Sequence, residues 1–436
     1  MGRLTVGVDI GGTFTDLVCL DEENGQFTIH KVPSTPPTFV EGVMAVLRKA
    51  GLSPKDLKTF RHGSTIATNA IVERKGARTG VVTTKGFRDI LEDARACRPE
   101  VFNLHWDPPP PLVPRYNRLG VKERVDYRGE VLEPLEENGI KAAGRVFRKR
   151  GIEAVAISFL NSFMNPSHEL QARRILEEEL PDAFISTSSE VFPEMLEFER
   201  TSTTVANAYL GPILDRYLSR LSDAMREWGY RGDILIVHSA GGVMTCDSAR
   251  RIPARTCQSG PAAGVRAGAY IGALAGCPNA ITFDMGGTST DLSLVWRGEP
   301  LFRPQLDVEF NIPIRFPCVD VVSIGTGGGQ HRLGGHRGDA EEWPSKRWGG
   351  ARPRFLWPGW GGAYEYGCES RPRKVEPPEL PRRGDGVGRR EGDRGDPKEG
   401  GRALWDDGAP GRRRHPQGGR GEHAECHQAH LGRPGL

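Results

Sequence analysis

Val8-Asp9-Ile10-Gly11-Gly12-Thr13-Phe14-Thr15-Asp16 and Phe283-Asp284-Met285-Gly286-Gly287-Thr288-Ser289-Thr290-Asp291 are one phrase written twice, and their reading decides the fold. Each copy follows an apolar run (Leu4–Val8; Ala280–Phe283) and precedes another (Leu17–Leu20; Leu292–Trp296). Each then meets a turn, Glu23-Asn24-Gly25 or Arg297-Gly298-Glu299, and a third extended run. Strand, tight Gly-Gly turn, strand, turn, strand is the pattern of a hairpin unit. Glycines without Cβ let backbone N–H groups approach an anion, and the threonine hydroxyls add donors. A carboxylate at each end suits a divalent cation or an oriented water, because hard oxygen is what Mg2+ accepts. A single such hairpin reads most simply as an ordinary turn. Two copies 275 residues apart, matching at six polar or glycine positions, predict duplicated halves that clamp a nucleotide's phosphates from both sides.

The segments between the copies alternate between strand and helix patterns. Thr38 is positioned to cap a helix over 39–50, whose Val40, Val43, Val46 and Leu47 form an apolar stripe. A strand is expected at 80–83, a helix at 139–150, a strand at 154–159 and a helix at 166–180. A helix over 202–209 is expected to break at Gly211-Pro212 and resume over 213–228, ahead of a buried strand at 234–237. Ser259–Ala275 reads as a Gly/Ala-rich helix, and Val319–Ile324 as a strand entering Gly325-Thr326-Gly327-Gly328-Gly329. Such alternation predicts an α/β layered protein. The expected domains are 1–185 and 186–329, followed by a tail over 330–436.

Charge is divided unevenly along the 436 residues. Residues 330–436 hold 21 Lys+Arg and 16 Asp+Glu, which leaves 38 and 40 to the first 329. The main body is therefore near neutral, and nothing in it argues for nucleic acid. Eight cysteines lie scattered without a C-x-x-C pair or metal-finger spacing, the usage of a reducing compartment. The chain enters a strand pattern by Leu4, and no apolar run reaches membrane-spanning length. The expectation is a cytoplasmic protein with no membrane partner.

The duplicated loop resembles the two phosphate loops of the actin, sugar-kinase and Hsp70 ATPase superfamily. Together with His62-Gly63-Ser64-Thr65-Ile66-Ala67-Thr68-Asn69-Ala70 and Ser259-Gly260-Pro261-Ala262-Ala263-Gly264-Val265, it resembles the hydantoinase A / 5-oxoprolinase / acetone carboxylase β-subunit family from about residue 4 to Gly329. That resemblance implies duplicated ribonuclease H-like ATPase domains, ATP and Mg2+ as cofactors, and a hydantoinase B-type partner subunit. It implies an ATP-dependent hydrolase that phosphorylates the carbonyl oxygen of a cyclic amide or imide, 5-oxoproline- or hydantoin-like, and then opens the ring. The alternatives are the β subunit of an acetone- or acetophenone-type carboxylase and a nucleotide-binding protein without turnover.

The resemblance stops abruptly at Gly329. Residues 330–436 contain no Ile, Met, Thr or Asn, only two Val, and 23 Gly among 107 residues. A disordered Arg/Gly tail or an RNA-binding one would look similar. Reading each new codon from the last two bases of one written codon and the first base of the next gives a different picture. With permitted codon choices, Gln330 through Pro344 can then give SIAWVDIGGMLKNG, and Ala363–Pro378 can give PTSTDANLVLGRLNP, both of which resemble what the family carries after its glycine loop. A one-base frame disruption near Gly329 is therefore expected, leaving the second half truncated and the tail disordered. Without the family's adenosine-pocket half, ATP binding is expected to be weak.

Within this frame Asp9 and Asp284 are the expected catalytic and metal-holding carboxylates, with Asx-turn formation as the structural alternative. His62 is the expected catalytic imidazole beside the substrate, or else a histidine satisfied in a turn. Gly11, Gly12, Thr13, Thr15 and Asp16, with Gly286, Gly287, Thr288, Thr290 and Asp291, are the expected cofactor-binding residues. Asp16 and Asp291 could equally cap their turns. Gly327 and Gly328 extend the set at the cleft. Ser259-Gly260-Pro261 would either present N–H groups to an anion or simply start a helix, and Cys257 reads as a buried thiol.

Overall fold

The computed structural model describes residues 2–97, 102, 103, 105, 107–286 and 290–324, all within one compact unit. The predicted tail and the predicted site residues Gly287, Thr288, Gly327 and Gly328 lie outside the described residues.

The first quoted phrase is a hairpin. Strand β1 (Leu4–Ile10) runs antiparallel to β2 (Phe14–Asp21), with Asp9 opposite Asp16 and Ile10 opposite Thr15. β2 continues antiparallel into β3 (Phe27–Pro33). Alternation sends Val6, Val8 and Ile10 to one face, where Val43, Val46 and Leu47 of helix α1 (Phe39–Lys49) join them in the core. Thr38 does precede α1, but its hydroxyl donates to the Thr35 carbonyl rather than capping the helix.

β4 (Leu57–Ser64) then adds parallel to β1, setting Asp9 beside Gly63, and feeds helix α2 (Ile66–Val72). A second sheet holds β5 (Thr79–Thr84) and β6 (Arg118–Val121). Helix α3 (Glu137–Lys149) leads to β7 (Ala154–Ser158), helix α4 (Ser167–Glu179) and β8 (Phe184–Thr187). Its order is β8-β7-β5-β6, all parallel, and every residue of β5 and β7 is buried. Continuous apolar burial is what a parallel sheet covered on both faces requires.

Helix α5 (Glu197–Trp228) is one 32-residue helix, where two were expected. Pro212 sits inside it without ending it. The missing Pro212 N–H and the ring's conflict with the preceding turn are outweighed by burial, since Phe198 through Gly211 are all buried. Gly211 is fixed by contact: a Cβ there would lie 2.2 Å from the Phe184 ring. After α5, β9 (Ile234–Val237) ladders parallel onto β4, and β10 (Val243–Thr245) closes the edge. The first sheet is thus β10-β9-β4-β1-β2-β3, and residues on both sides of position 185 share it. Its inner order, three antiparallel strands followed by two parallel ones, is that of a ribonuclease H-like domain.

Helix α6 (Ser259–Leu274) leads to the second phrase, which repeats the first. β11 (Ala280–Met285) pairs antiparallel with β12 (Thr290–Trp296), with Asp284 opposite Asp291 and Met285 opposite Thr290. The register of the first copy is reproduced residue for residue. The third strand differs in position. β12 turns into only two paired residues, Glu299–Pro300, and the partner of its inner half is the later β13 (Val321–Ile324). Val295 and Val321 pack with Ala262, Val265 and Ala269 of α6.

Candidate functional site

Asp9 ends the usable length of β1, next to the Gly-Gly turn. Its Oδ1 is buried and has no hydrogen-bond partner among the described residues. A Cβ on Gly63 would lie 2.8 Å from that oxygen, and a Cβ on Gly260 would lie 3.0 Å from it. The carboxylate therefore stands between the β4 backbone and the first turn of α6, in space that only glycine leaves open. Burial is the main reason its carboxyl is pushed up to about 6, with the negative charges of Asp16 and then Asp284 adding to the effect. Asp284, from the second copy, is thus near enough to be felt by Asp9 of the first. Asp291 is also raised, by burial first and then by Asp284, against the lowering effect of the Ser323 hydroxyl.

Helix α6 is tied into this position. Ser259 is buried, its Oγ accepts the Ser64 N–H at 3.1 Å and donates to the Ser64 carbonyl at 2.8 Å. The preceding Gln258 takes a left-handed φ of 57°, its N–H donating to Thr68 Oγ1 at 2.9 Å while its Oε1 stays buried without a partner among the described residues. A non-glycine residue held in that region marks a place where the surroundings dictate the backbone. The helix start so positioned brings its first turn, at Gly260, against the Asp9 carboxylate.

Alternation along the hairpins sorts the other expected residues. Asp9 and Asp16 share the face opposite Ile10 and Thr15, and Asp284 and Asp291 are placed likewise. Asp16 pairs with Lys31 at 3.0 Å. Thr15 and Thr290 belong to the other face and are buried. Thr15 Oγ1 meets Ser34 Oγ at 3.1 Å, against α1, so the phosphate role expected of Thr15 is not what the geometry provides. Thr13 is exposed at the turn, and Gly12 has open space where a Cβ would be. Gly11 is held to the turn by its N–H on the Phe14 carbonyl and by Ser34 Oγ on its own carbonyl.

His62 is not at the cleft. It is 1% exposed and both ring nitrogens are occupied. The Val8 carbonyl, 3.0 Å away, can only accept, so Nδ1 carries the proton and Nε2 accepts the Tyr217 hydroxyl at 2.6 Å. Burial holds the imidazole down to about 4, which keeps it neutral. The adjacent residue on the strand, Gly63, is the one that reaches Asp9. Its signal was the glycine following His62 in β4. Asn69 is exposed on α2 and donates to Thr65 Oγ1. Cys257 is buried, with its thiol pushed up to about 12.

The residues present fit a hard cation and phosphate. An orphaned buried carboxylate oxygen, a second aspartate from a register-identical hairpin, glycine-lined space and a helix N-terminus form a donor set of that chemistry. Among the described residues no cluster of three or more His, Cys, Asp or Glu is assembled as a complete metal cage. A Mg2+ here would therefore rely on water and phosphate oxygens for most of its ligands.

Fold and site together define an α/β protein with two register-matched aspartate-bearing hairpins. Residues 5–180 match the hydantoinase/oxoprolinase N-terminal region, and residues 200–338 match hydantoinase/oxoprolinase. The chain belongs to the hydantoinase/oxoprolinase family. It is 36% identical over 338 residues to an uncharacterized protein of Methanocaldococcus jannaschii, across 74% of this chain and 50% of that one. It is 35% identical over 334 residues to caprolactamase subunit alpha of Pseudomonas jessenii, across 74% and 48%. The crystal structure of that ATP-dependent caprolactamase superposes with a TM-score of 0.66, covering 74% of this chain and 48% of that chain. Nucleotide-free acetone carboxylase superposes with a TM-score of 0.69 at 30% identity, covering 76% and 49%. The chain spans about half the length of the curated relatives it matches. No described helix is long and apolar enough to cross a membrane.

Proposed function

We propose that this chain is the phosphate-binding half of an ATP-dependent hydrolase of the hydantoinase/5-oxoprolinase type, acting on a cyclic amide or imide. The observation that carries the reading is the unpartnered Asp9 Oδ1 set between Gly63 and Gly260. Buried polar atoms in native proteins are satisfied, so an orphan of this kind is a place prepared for a ligand.

Asp9 and Asp284 would hold Mg2+, with Asp16 and Asp291 beside them. The bound cation would neutralise charge on the transferring phosphoryl group. Gly12 and Thr13 at the first turn, and Gly286 at the second, would offer backbone donors to phosphate oxygens, with the Gly11 N–H held on the Phe14 carbonyl to shape the turn. Asp9 is partly protonated near pH 6 in the empty protein and would lose that proton on cation binding. Tyr217 and His62 fix the Val8 carbonyl and so the strand that carries Asp9, a positioning role and not a chemical one. The cyclic substrate, a hydantoinase B-type partner and a cytoplasmic setting extend this reading from the family.

The test is isothermal titration with Mg2+ and inorganic tripolyphosphate, which needs no adenosine pocket. Binding that is lost in Asp9→Asn supports the site, and equal binding by the variant overturns it. Given the half-length match, ATP is expected to bind little better than tripolyphosphate. Hydantoin- or 5-oxoproline-dependent ATP hydrolysis by a chain completed to family length tests the hydrolase. The superposition on acetone carboxylase favours a second reading, ketone carboxylation, for which bicarbonate and a ketone must both be required.

A further inference from the structure

One face of helix α5 borders a cavity of about 480 Å3. Ile213, Arg216, Tyr217 and Arg220 stand at i, i+3, i+4 and i+7, a single helical stripe, and all four line it. Phe39 and Val40 at the start of α1 and Ile66 at the start of α2 line it from the other sides.

Burial and chemistry are ordered within this space. Ile66 and Tyr217 are buried and form its floor, Phe39, Val40 and Ile213 are half-buried in its walls, and Arg216 and Arg220 are exposed at its rim. The Tyr217 hydroxyl is already taken by His62 Nε2 at 2.6 Å, so the floor offers carbon alone. Arg216 Nε donates to the Pro212 carbonyl at 3.1 Å, which steadies the side chain along the helix. Among the described residues neither arginine lies within ion-pair distance of a carboxylate. The neighbouring Asp215 is engaged by Arg250 at 2.7 Å, and Glu41, the acidic residue lining the cavity, pairs with neither arginine. Two arginines against one glutamate leave a single positive charge at the rim, which suits a monoanion better than a phosphate dianion. Guanidinium groups take carboxylates in bidentate geometry.

The lining comes wholly from residues 37–220, around a first sheet whose β1 and β4 are each laddered on both sides. Alternation along β4 sends His62 toward Tyr217 and Gly63 toward Asp9. The cavity and the Asp9 carboxylate therefore lie on opposite faces of that sheet.

We propose that this cavity is a binding site for a small monocarboxylate with an apolar body, separate from the phosphate site. The hydrocarbon part lies against Ile66, Ile213 and Tyr217, and the carboxylate accepts N–H bonds from Arg216 and Arg220. Apolar walls with a few convergent polar groups, in a space of about 300–1,000 Å3, are what small-molecule sites share. Burial of the body gives affinity, and the arginines set direction and select against uncharged analogues.

Octanoate is the probe, titrated by calorimetry into the full 436-residue chain. Octanamide is its uncharged counterpart, and acetate and inorganic phosphate are anions without the apolar body. Octanoate is expected to bind one to one, and the other three at least about tenfold more weakly. Arg216→Gln combined with Arg220→Gln, both on exposed positions, should leave the melting transition unchanged. That double variant should weaken octanoate at least about tenfold and leave octanamide as it was. Ile213→Trp, which fills the cavity from its wall, should abolish octanoate binding. The inference is overturned if octanoate does not bind, if octanamide, acetate or phosphate binds as tightly, or if either variant binds octanoate like the parent. Asp9→Asn should keep full octanoate binding while losing tripolyphosphate, so each site is read without the other. Loss of octanoate binding in Asp9→Asn would overturn the separation of the two sites.

Discussion

Asp9 and Gly260 face one another across a gap that a single methyl group would close: a Cβ on Gly260 would stand 3.0 Å from Asp9 Oδ1 and 3.3 Å from Oδ2. A strand end from the first hairpin and a helix start more than two hundred residues later are thereby held at one point, with Ser259 and Ser64 as the clasp.

Gly260→Ala tests the gap itself. The helix gain from Ala, up to about 1 kcal/mol, is set against a methyl 3.0 Å from a buried carboxylate oxygen, so the melting temperature should hold or fall. Affinity for Mg2+ with tripolyphosphate should fall at least about tenfold. Titration calorimetry and a thermal melt on the same preparation check both halves.

Ser259→Ala removes the clasp. It leaves the Ser64 N–H without its acceptor and the Ser64 carbonyl without that donor, in a buried setting, at a cost of about 1–3 kcal/mol. Affinity for the anion should fall with it, since α6 is no longer fixed against β4. Restoration by Ser259→Thr, read by melt and titration, would separate a lost hydroxyl from a general packing defect.

Much of this was legible from residue order alone. The repeated phrase predicted both hairpins, and the identical aspartate register followed from equal spacing between the paired carboxylates. The stripe of α1 and the buried strands β5 and β7 were readable because period and apolar content agree there. Pro212 misled, because the stability of α5 comes from tertiary burial that no local pattern displays. His62 misled for a related reason. Alternation says that neighbours on a strand face opposite ways, but only the parallel pairing of β4 with β1 shows that Gly63, and not His62, meets Asp9. Thr15 was assigned by type, whereas its register opposite Ile10 turns it toward α1.

Tyr217→Phe tests the buried imidazole. Losing the hydroxyl leaves His62 Nε2 unpaired inside the core, for a loss of about 1–3 kcal/mol in a denaturant melt. Because the His62 imidazole is held down to about 4, no step in a pH–activity profile between 6 and 7 should respond to substitution at either residue. A shifted inflection in that window would restore His62 to the chemistry.

Asp9→Asn should reveal two opposing pH dependences. The Asp9 carboxyl is raised from 3.8 to about 6, so ionising it costs stability; the cost is absent below pH 3.8 and fully present above about 6, reaching about 3 kcal/mol at most. His62 is lowered from 6.5 to about 4, so its neutral form contributes stability that is present above 6.5 and lost as pH falls toward 4, by a similar amount. Between pH 4 and 6 the two offset each other, and the parent chain's stability should change little there. Asp9→Asn removes one side of the balance. Its melts should gain stability over the parent at pH 7.5, converge with it near pH 4, and show a steep loss on acidification through pH 6 to 4. Mg2+ should stabilise the parent at pH 7.5 and leave the variant unmoved.

The coding DNA around codon 329 provides the last test. The family match ends at residue 338, while the alternative frame from Gln330 onward can, with permitted codon choices, give family-like strings in order. A single-base insertion or deletion near that codon is expected to open a long frame that continues the hydantoinase/oxoprolinase sequence. The restored chain would carry its own counterparts of α1 and β4 directly after β13. Ile281, Phe283 and Met285 should then be covered within one polypeptide, and the restored chain should not bind an apolar dye at that face. It should also gain preference for ATP over tripolyphosphate, because an adenosine pocket would now stand behind the phosphate loops. Sequencing that finds no such open frame removes the frame disruption as the explanation of residues 330–436.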